Sequence, residues 1–146
     1  MDRFVVRALP AEIKHEGPQI VVVADEPDSY PCRRCLQDAS VGEHLLLISY
    51  DPFLGESPYR GAGPIYVHER ACEPFAALGE IPEQLRRRLL SLRAYDSRHM
   101  LTGAEVVEGK HLTPTVETLF DDPSAQYIHV HNARPGCFAA RIDRAA

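Results

Sequence analysis

The sequence predicts an α+β fold: a single domain, mostly antiparallel sheet, with one main helix and one short helix packed against it. Three observations predict it. Segments of strand length rich in Val, Ile and Leu fill the first half of the chain. Helical periodicity enters only after Pro82. Near the end, two alternating segments flank Arg134-Pro135-Gly136 and read as an antiparallel hairpin. A chain of 146 residues fits one domain and buries a real core without cross-links.

Residues 4–9 form a short strand stopped by Pro10. Residues 19–24 are a continuous apolar run and read as a buried strand. The breaker-rich stretch 25–31 is a loop that delivers Cys32 and Cys35, and residues 33–39 suit one or two helical turns. Residues 43–50 are a strand closed by Asp51-Pro52, residues 57–64 a loop, and residues 65–69 an alternating strand.

The main helix is expected from Pro82 to about residue 96. Proline suits a first helical position, and Ile81, Leu85, Leu89 and Leu92 share one face at helical spacing. Arg86, Arg87 and Arg88 fall mostly off that face and read as solvated, not as a DNA-contacting patch. Residues 100–107 are a weaker strand, broken by Gly103 and ended by Gly109. Thr113 and Pro114 look like an N-cap and first helical residue. Val116, Leu119 and Phe120 then give a short amphipathic helix ended by Asp122-Pro123.

The closing hairpin has two candidate registers. A two-residue loop mixes polar and apolar residues on each face. A three-residue loop puts Ile128 opposite Ile142, Val130 opposite Ala140 and His129 opposite Arg141, which segregates them. Gly136 supplies the left-handed residue that such loops want. Ile128, Val130, Ala140 and Ile142 then meet the core. Tyr127, His129, His131, Cys137 and Arg141 share the other face, which either meets solvent or lines a pocket.

The formal net charge of −5 argues against nucleic acid as the main partner, because phosphate binding needs a basic footprint. The longest apolar runs, 20–24 and 45–48, are too short to span a bilayer. No signal-peptide stretch opens the chain, so a reducing, cytoplasmic setting is expected. In that setting the four cysteines read first as free thiols, next as metal ligands or catalytic groups, and last as disulfides.

Cys32 and Cys35 form a CxxC element, which chelates one ion from a tight turn. It can instead be a redox pair assisted by Arg33 and Arg34. Thioredoxin-type sites place CxxC directly after a strand, whereas seven breaker-rich residues intervene here. His68 and Cys72, four apart, offer a second half-site. Together Cys32, Cys35, His68 and Cys72 would make a closed Cys3His zinc tetrahedron. The plainer alternative buries Cys35 and Cys72 as small hydrophobes.

Cys137 follows a glycine turn near His131, so a thiolate nucleophile with His131 and His129 as acid–base partners is a second chemistry. Tyr59, Arg60 and Arg141 are candidates to bind a small anion. The stretch Gly61-Ala62-Gly63-Pro64 lacks the helix that a dinucleotide fingerprint requires and reads as a structural turn. No Walker loop, HExxH or GxSxG occurs.

Several motifs carry a resemblance over nearly the whole chain. They are Tyr30-Pro-Cys-Arg-Arg-Cys-Leu36, Ser49-Tyr-Asp-Pro-Phe53, Pro58-Tyr-Arg-Gly-Ala-Gly-Pro-Ile-Tyr-Val-His68, Cys72, His129-Val-His-Asn-Ala133, Gly136-Cys137 and Arg141-Ile-Asp-Arg144. The chain resembles a bacterial family catalogued as domain of unknown function 1203. The resemblance implies a small, stand-alone bacterial protein and brings no activity, cofactor or catalytic residue.

Two functional readings stand at this point. One is a binding or structural module whose Cys32–Cys35 loop is tied to His68 and Cys72, by zinc. The other is an enzyme or small-anion binder using the polar hairpin face. Substrate and oligomeric state stay open.

Overall fold

Strand pairing divides the chain into two antiparallel sheets in the computed structural model, which describes residues 4–9, 13, 15, 17–77 and 79–145. The elements in order are β1 (Phe4–Arg7), β2 (Ile20–Val23), β3 (His44–Tyr50), β4 (Gly63–His68), α1 (Glu83–Arg86), β5 (Leu89–Tyr95), β6 (Leu101–Glu108), α2 (Leu112–Phe120), β7 (Tyr127–Asn132) and β8 (Phe138–Arg144). The larger sheet has the order β1-β8-β7-β5-β6, and the smaller β2-β3-β4. The α+β class holds, with mostly antiparallel sheet, one main helix and one short one. Pro10, expected to stop the first strand, lies outside the described residues.

The main helix is not where helical spacing placed it. After one turn in α1 the chain enters β5, a strand paired with β6 on one side and β7 on the other. Leu90, Leu92 and Ala94 alternate into the core, each fully buried. The stretch therefore carries two periods at once, and Leu92 belongs to both. Ladders on both edges decide for the strand, because tertiary pairing overrides a weak helical preference. Arg86 and Arg87 are exposed, as expected, with Arg87 paired to Asp28 and Asp38; Arg88 is instead half-buried and pairs with Asp38 at 2.8 Å.

The longer helix is α2, led in by a 3-10 turn at Gly109–His111. It begins upstream of the expected Thr113 cap. Pro114 sits in the first turn, where its missing N–H has no helical partner to lose. Leu112, Val116 and Phe120 recur every four residues and bury against the larger sheet. Gly103 lies within β6 opposite Ala94, and the ladder slips beside it, so that Leu101 faces Tyr95.

One further expectation is corrected and one is narrowed. β2 is an edge strand and is not buried: Ile20, Val21 and Val23 are each about half exposed (52%, 51% and 51%). A continuous apolar run does not reveal whether a second sheet covers it. Residues 33–35 form one helical turn, closed by the Leu36 N–H on the Cys32 carbonyl at 3.1 Å, and no second turn follows. Pro31 bridges Asp38, the Cys32 N–H donates to the Gln37 carbonyl, and Leu36 takes a left-handed φ of 57°.

The hairpin register is as expected: Ile128 faces Ile142, His129 faces Arg141 and Val130 faces Ala140. Its tip differs. Beyond Val130 the register shifts by one, so His131 faces Phe138, and the Asn132 N–H bonds the Cys137 carbonyl. A bulge at the start of β8 thus accompanies a four-residue loop, 133–136, where Gly136 has φ +83°. Sequence alternation alone does not show a bulge.

The face of Leu90, Leu92, Ile128, Val130 and Ile142 packs on α2. A second apolar cluster fills the junction of the sheets, with Cys32, Ile48, Ile65, Val67 and Phe138 buried together. No helix among the described residues is long and apolar enough to cross a membrane.

Candidate metal centre

The knuckle at residues 31–38 folds over the end of the smaller sheet. Cys32 bridges Tyr66 in β4, and the Arg33 N–H bonds the Tyr66 carbonyl at 3.0 Å. This registers Cys32 beside the last residue of β4, and the His68 N–H donates to Cys32 Sγ at 3.3 Å. The chain then turns back. The Phe75 N–H bonds the Arg34 carbonyl at 2.8 Å, which returns Cys72 to the knuckle.

The result brings Cys32, Cys35, His68 and Cys72 together, with one ligand atom from each lying within 4.8 Å of the others. Cys32 Sγ is 3.8 Å from Cys72 Sγ, and Cys35 Sγ is 3.6 Å from His68 Nδ1. A tetrahedral zinc with bonds of about 2.3 Å to sulfur and about 2.05 Å to nitrogen separates two sulfurs by about 3.8 Å and sulfur from nitrogen by about 3.6 Å. The donor set therefore suits that ion in kind, and these two separations match its spacing. Cys32 and His68 are buried, while Cys35 and Cys72 are partly exposed.

The surroundings suit a thiolate-held cation. His68 Nε2, the ring nitrogen away from Cys35, lies 3.2 Å from Glu43 Oε1. Arg70 donates to the other Glu43 oxygen at 2.8 Å, and the Ser40 N–H donates to Oε1 at 2.7 Å. The Ser40 N–H, then Arg70, hold the Glu43 carboxyl down to about 2. Such outer partners fix a ligating imidazole's tautomer and raise its basicity. Arg34 Nη1 approaches Cys72 Sγ at 3.8 Å and offsets thiolate charge.

Without metal, the thiols share protons. The Cys32 thiol is pushed down, first by a hydrogen bond from Cys35 and then by backbone N–H groups. Cys35 is raised because it holds that shared proton, and Cys72 is raised by burial. A cation bound among these groups would displace the thiol protons.

The family model described as "Protein of unknown function (DUF1203)" matches residues 29–144. The chain belongs to that family. No curated protein and no solved structure matches it. All four candidate ligands of this DUF1203 chain fall within the matched region.

The structure treats the other predicted residues differently. Cys137 does not hydrogen-bond to either imidazole; its sulfur accepts from Arg33 Nη2 at 3.0 Å and lies 3.9 Å from Asn132 Nδ2. The bulge puts Cys137 out of step with the alternation meant to carry it to the histidine face. His129 is fully buried among Phe53, Tyr95, Tyr127 and Phe138, so at this point the polar hairpin face meets neither solvent nor a pocket. Burial holds its pKa down to about 3.

His131 donates from Nδ1 to the Gly136 carbonyl at 2.9 Å, and burial lowers it to about 4. With Tyr59, Arg93 and Cys137 it lines a cavity of about 280 Å³. Arg60 points elsewhere, paired with Asp51 at 2.8 Å and with Glu56. Arg141 bonds Asp143 at 2.6 Å, with its guanidinium 4.3 Å from the Tyr127 ring centre. Sequence reasoning missed Glu43, whose position against His68 depends on strand pairing. It also missed Arg33, read only as a neighbour of the thiols.

Proposed function

We propose that this chain is a zinc-binding module whose metal is structural. The observation that carries this is the convergence of Cys32, Cys35, His68 and Cys72, whose ligand atoms lie within 4.8 Å of one another. Four protein ligands leave no open position for water or substrate, which is the mark of a structural site. The metal would fasten the 31–38 knuckle to the end of β4 and to the chain returning at Cys72. That knuckle also touches the larger sheet, since Arg33 Nε donates to the Phe138 carbonyl at 2.7 Å. Metal binding here would therefore stabilise the junction of the sheets, as binding to the native state alone does. A centre of three thiolates suits a reducing compartment, so a cytoplasmic location belongs to this reading.

The test is elemental analysis of protein expressed in zinc-supplemented medium and purified without a polyhistidine tag. One zinc per chain is expected, with loss of the metal on Cys72→Ser. Clearly substoichiometric zinc in freshly folded protein would discard the reading.

A further inference from the structure

The second residue of the CxxC motif leads away from the metal ligands. Arg33 is 1% exposed, yet among the described residues no carboxylate pairs with it. Its guanidinium donates to the carbonyls of Phe138 and Pro31, each at 2.7 Å, and to Cys137 Sγ. A buried cation without a counter-charge is costly and seeks an anion.

Arg33 lines a cavity of about 430 Å³ between the knuckle and the β7–β8 loop. That lies within the range of about 300–1,000 Å³ found for small-molecule sites. No Asp or Glu is among its lining residues. Arg87 and Arg88 reach it but are already paired with Asp28 and Asp38. Arg134, exposed on the β7–β8 loop, has no carboxylate partner among the described residues. Two guanidinium groups therefore stand uncompensated at one cavity of a chain whose formal net charge is −5.

A second, independent feature is Asn132. It is 5% exposed, lines the same cavity, and its buried Oδ1 has no hydrogen-bond partner. Buried polar atoms are nearly always partnered, so an orphan beside a cavity marks a place for a ligand donor or water. Tyr66, Leu89 and Pro135 supply apolar wall.

We propose that this cavity binds a small organic oxyanion, a molecule with one carboxylate or phosphate head on a compact apolar body. The head lies toward Arg33 and Arg134, which present planar donor forks suited to either group. The body rests on Tyr66, Leu89 and Pro135. Asn132 takes a hydroxyl or N–H of the ligand where one is present. The site shares no side chain with the metal centre, although Arg33 is carried between two of its ligands.

The test is an amide NMR titration of the zinc-containing protein with benzoate, phenyl phosphate and, as the neutral control, benzyl alcohol. Saturable shifts at Arg33, Asn132 and Arg134 are expected with the anions and not with the alcohol. The tighter anion names the head group. Arg134→Ala, on an exposed loop, should weaken binding about tenfold, the loss of one charge-assisted hydrogen bond. Arg33→Lys keeps the charge but loses the fork, and should weaken it too. Absence of saturation with both anions, equal shifts with benzyl alcohol, or unchanged affinity in both variants would overturn the proposal. Zinc content measured on the same sample separates this result from any failure of the metal centre.

Discussion

Glu43 Oε1 lies 3.2 Å from His68 Nε2, on the ring nitrogen that does not face the thiols. The carboxylate is itself braced by Arg70 and the Ser40 N–H. In a metal site this arrangement aims the imidazole and increases its donor strength. Glu43→Ala should therefore keep all four ligands but weaken zinc about 10- to 100-fold, the usual effect of losing an outer partner. Glu43→Gln, which still accepts a hydrogen bond, should fall between. Competition with a chromophoric zinc chelator measures this. Identical affinity in all three proteins would deny Glu43 any part in the centre.

The cysteines divide sharply by position. Cys72 Sγ lies against Cys32 Sγ at 3.8 Å, while Cys137 Sγ lies against Arg33. Cys72→Ser should lose zinc and lower the melting temperature, and a strong chelator should lower that of the wild type similarly. Cys137→Ser should retain one zinc per chain and remain insensitive in its metal content. The comparison is made by elemental analysis and thermal unfolding with and without chelator. Equal zinc in both variants, or chelator-independent melting of the wild type, would remove the metal from the account of stability.

Legibility followed the range of the interaction. The spacing Cys32–Cys35 and His68–Cys72 is local, so each half of the centre was visible in the sequence. The hairpin register was legible because one wrong step would have mixed polar with apolar residues at Ile128 and Ile142. Glu43 was not legible, since β3–β4 pairing brings it to His68 from 25 positions away. Nor was β5: Leu85, Leu89 and Leu92 match a helix, and only its two neighbouring strands select the alternation of Leu90, Leu92 and Ala94. The cover over His129 comes from Phe53, on a loop with no periodic signal at all.

Gly109 marks a close approach of main chains. It opens the 3-10 turn before α2, and its N–H bonds the Arg88 carbonyl at 2.7 Å. A methyl group at Gly109 would overlap the backbone carbonyl of Leu85 in α1. Backbone cannot swing aside as a side chain can. Gly109→Ala should thus destabilise by about 1–3 kcal/mol, the range for overpacking a tight contact. Denaturant unfolding at neutral pH measures it. A stability within error of wild type would show that α1 and the turn are free to separate.

His129 makes the acid response of this fold specific. Its ring lies 4.8 Å from Phe53, 5.1 Å from Tyr127, and 5.3 Å from both Tyr95 and Phe138. Neither ring nitrogen has a hydrogen-bond partner among the described residues. Burial first, then the neighbouring His131 and Arg141 and last Arg93, disfavour the imidazolium; Asp51 opposes them, and the result is a pKa of about 3. The unfolded chain takes that proton near the ordinary value of about 6.5. Between these values unfolding consumes a proton. The stability due to a neutral His129 is thus whole above about pH 6.5 and declines as pH falls toward about 3, by roughly 1.4 kcal/mol per unit. His129→Leu removes this linkage and sacrifices no hydrogen bond. Denaturant unfolding at pH 7, 6 and 5 should show a shallower acid loss in the variant than in the wild type. Protonation at the Cys/His cluster affects both proteins alike, so the difference in slope belongs to His129. Parallel pH profiles would mean that the buried imidazole takes its proton as readily folded as unfolded.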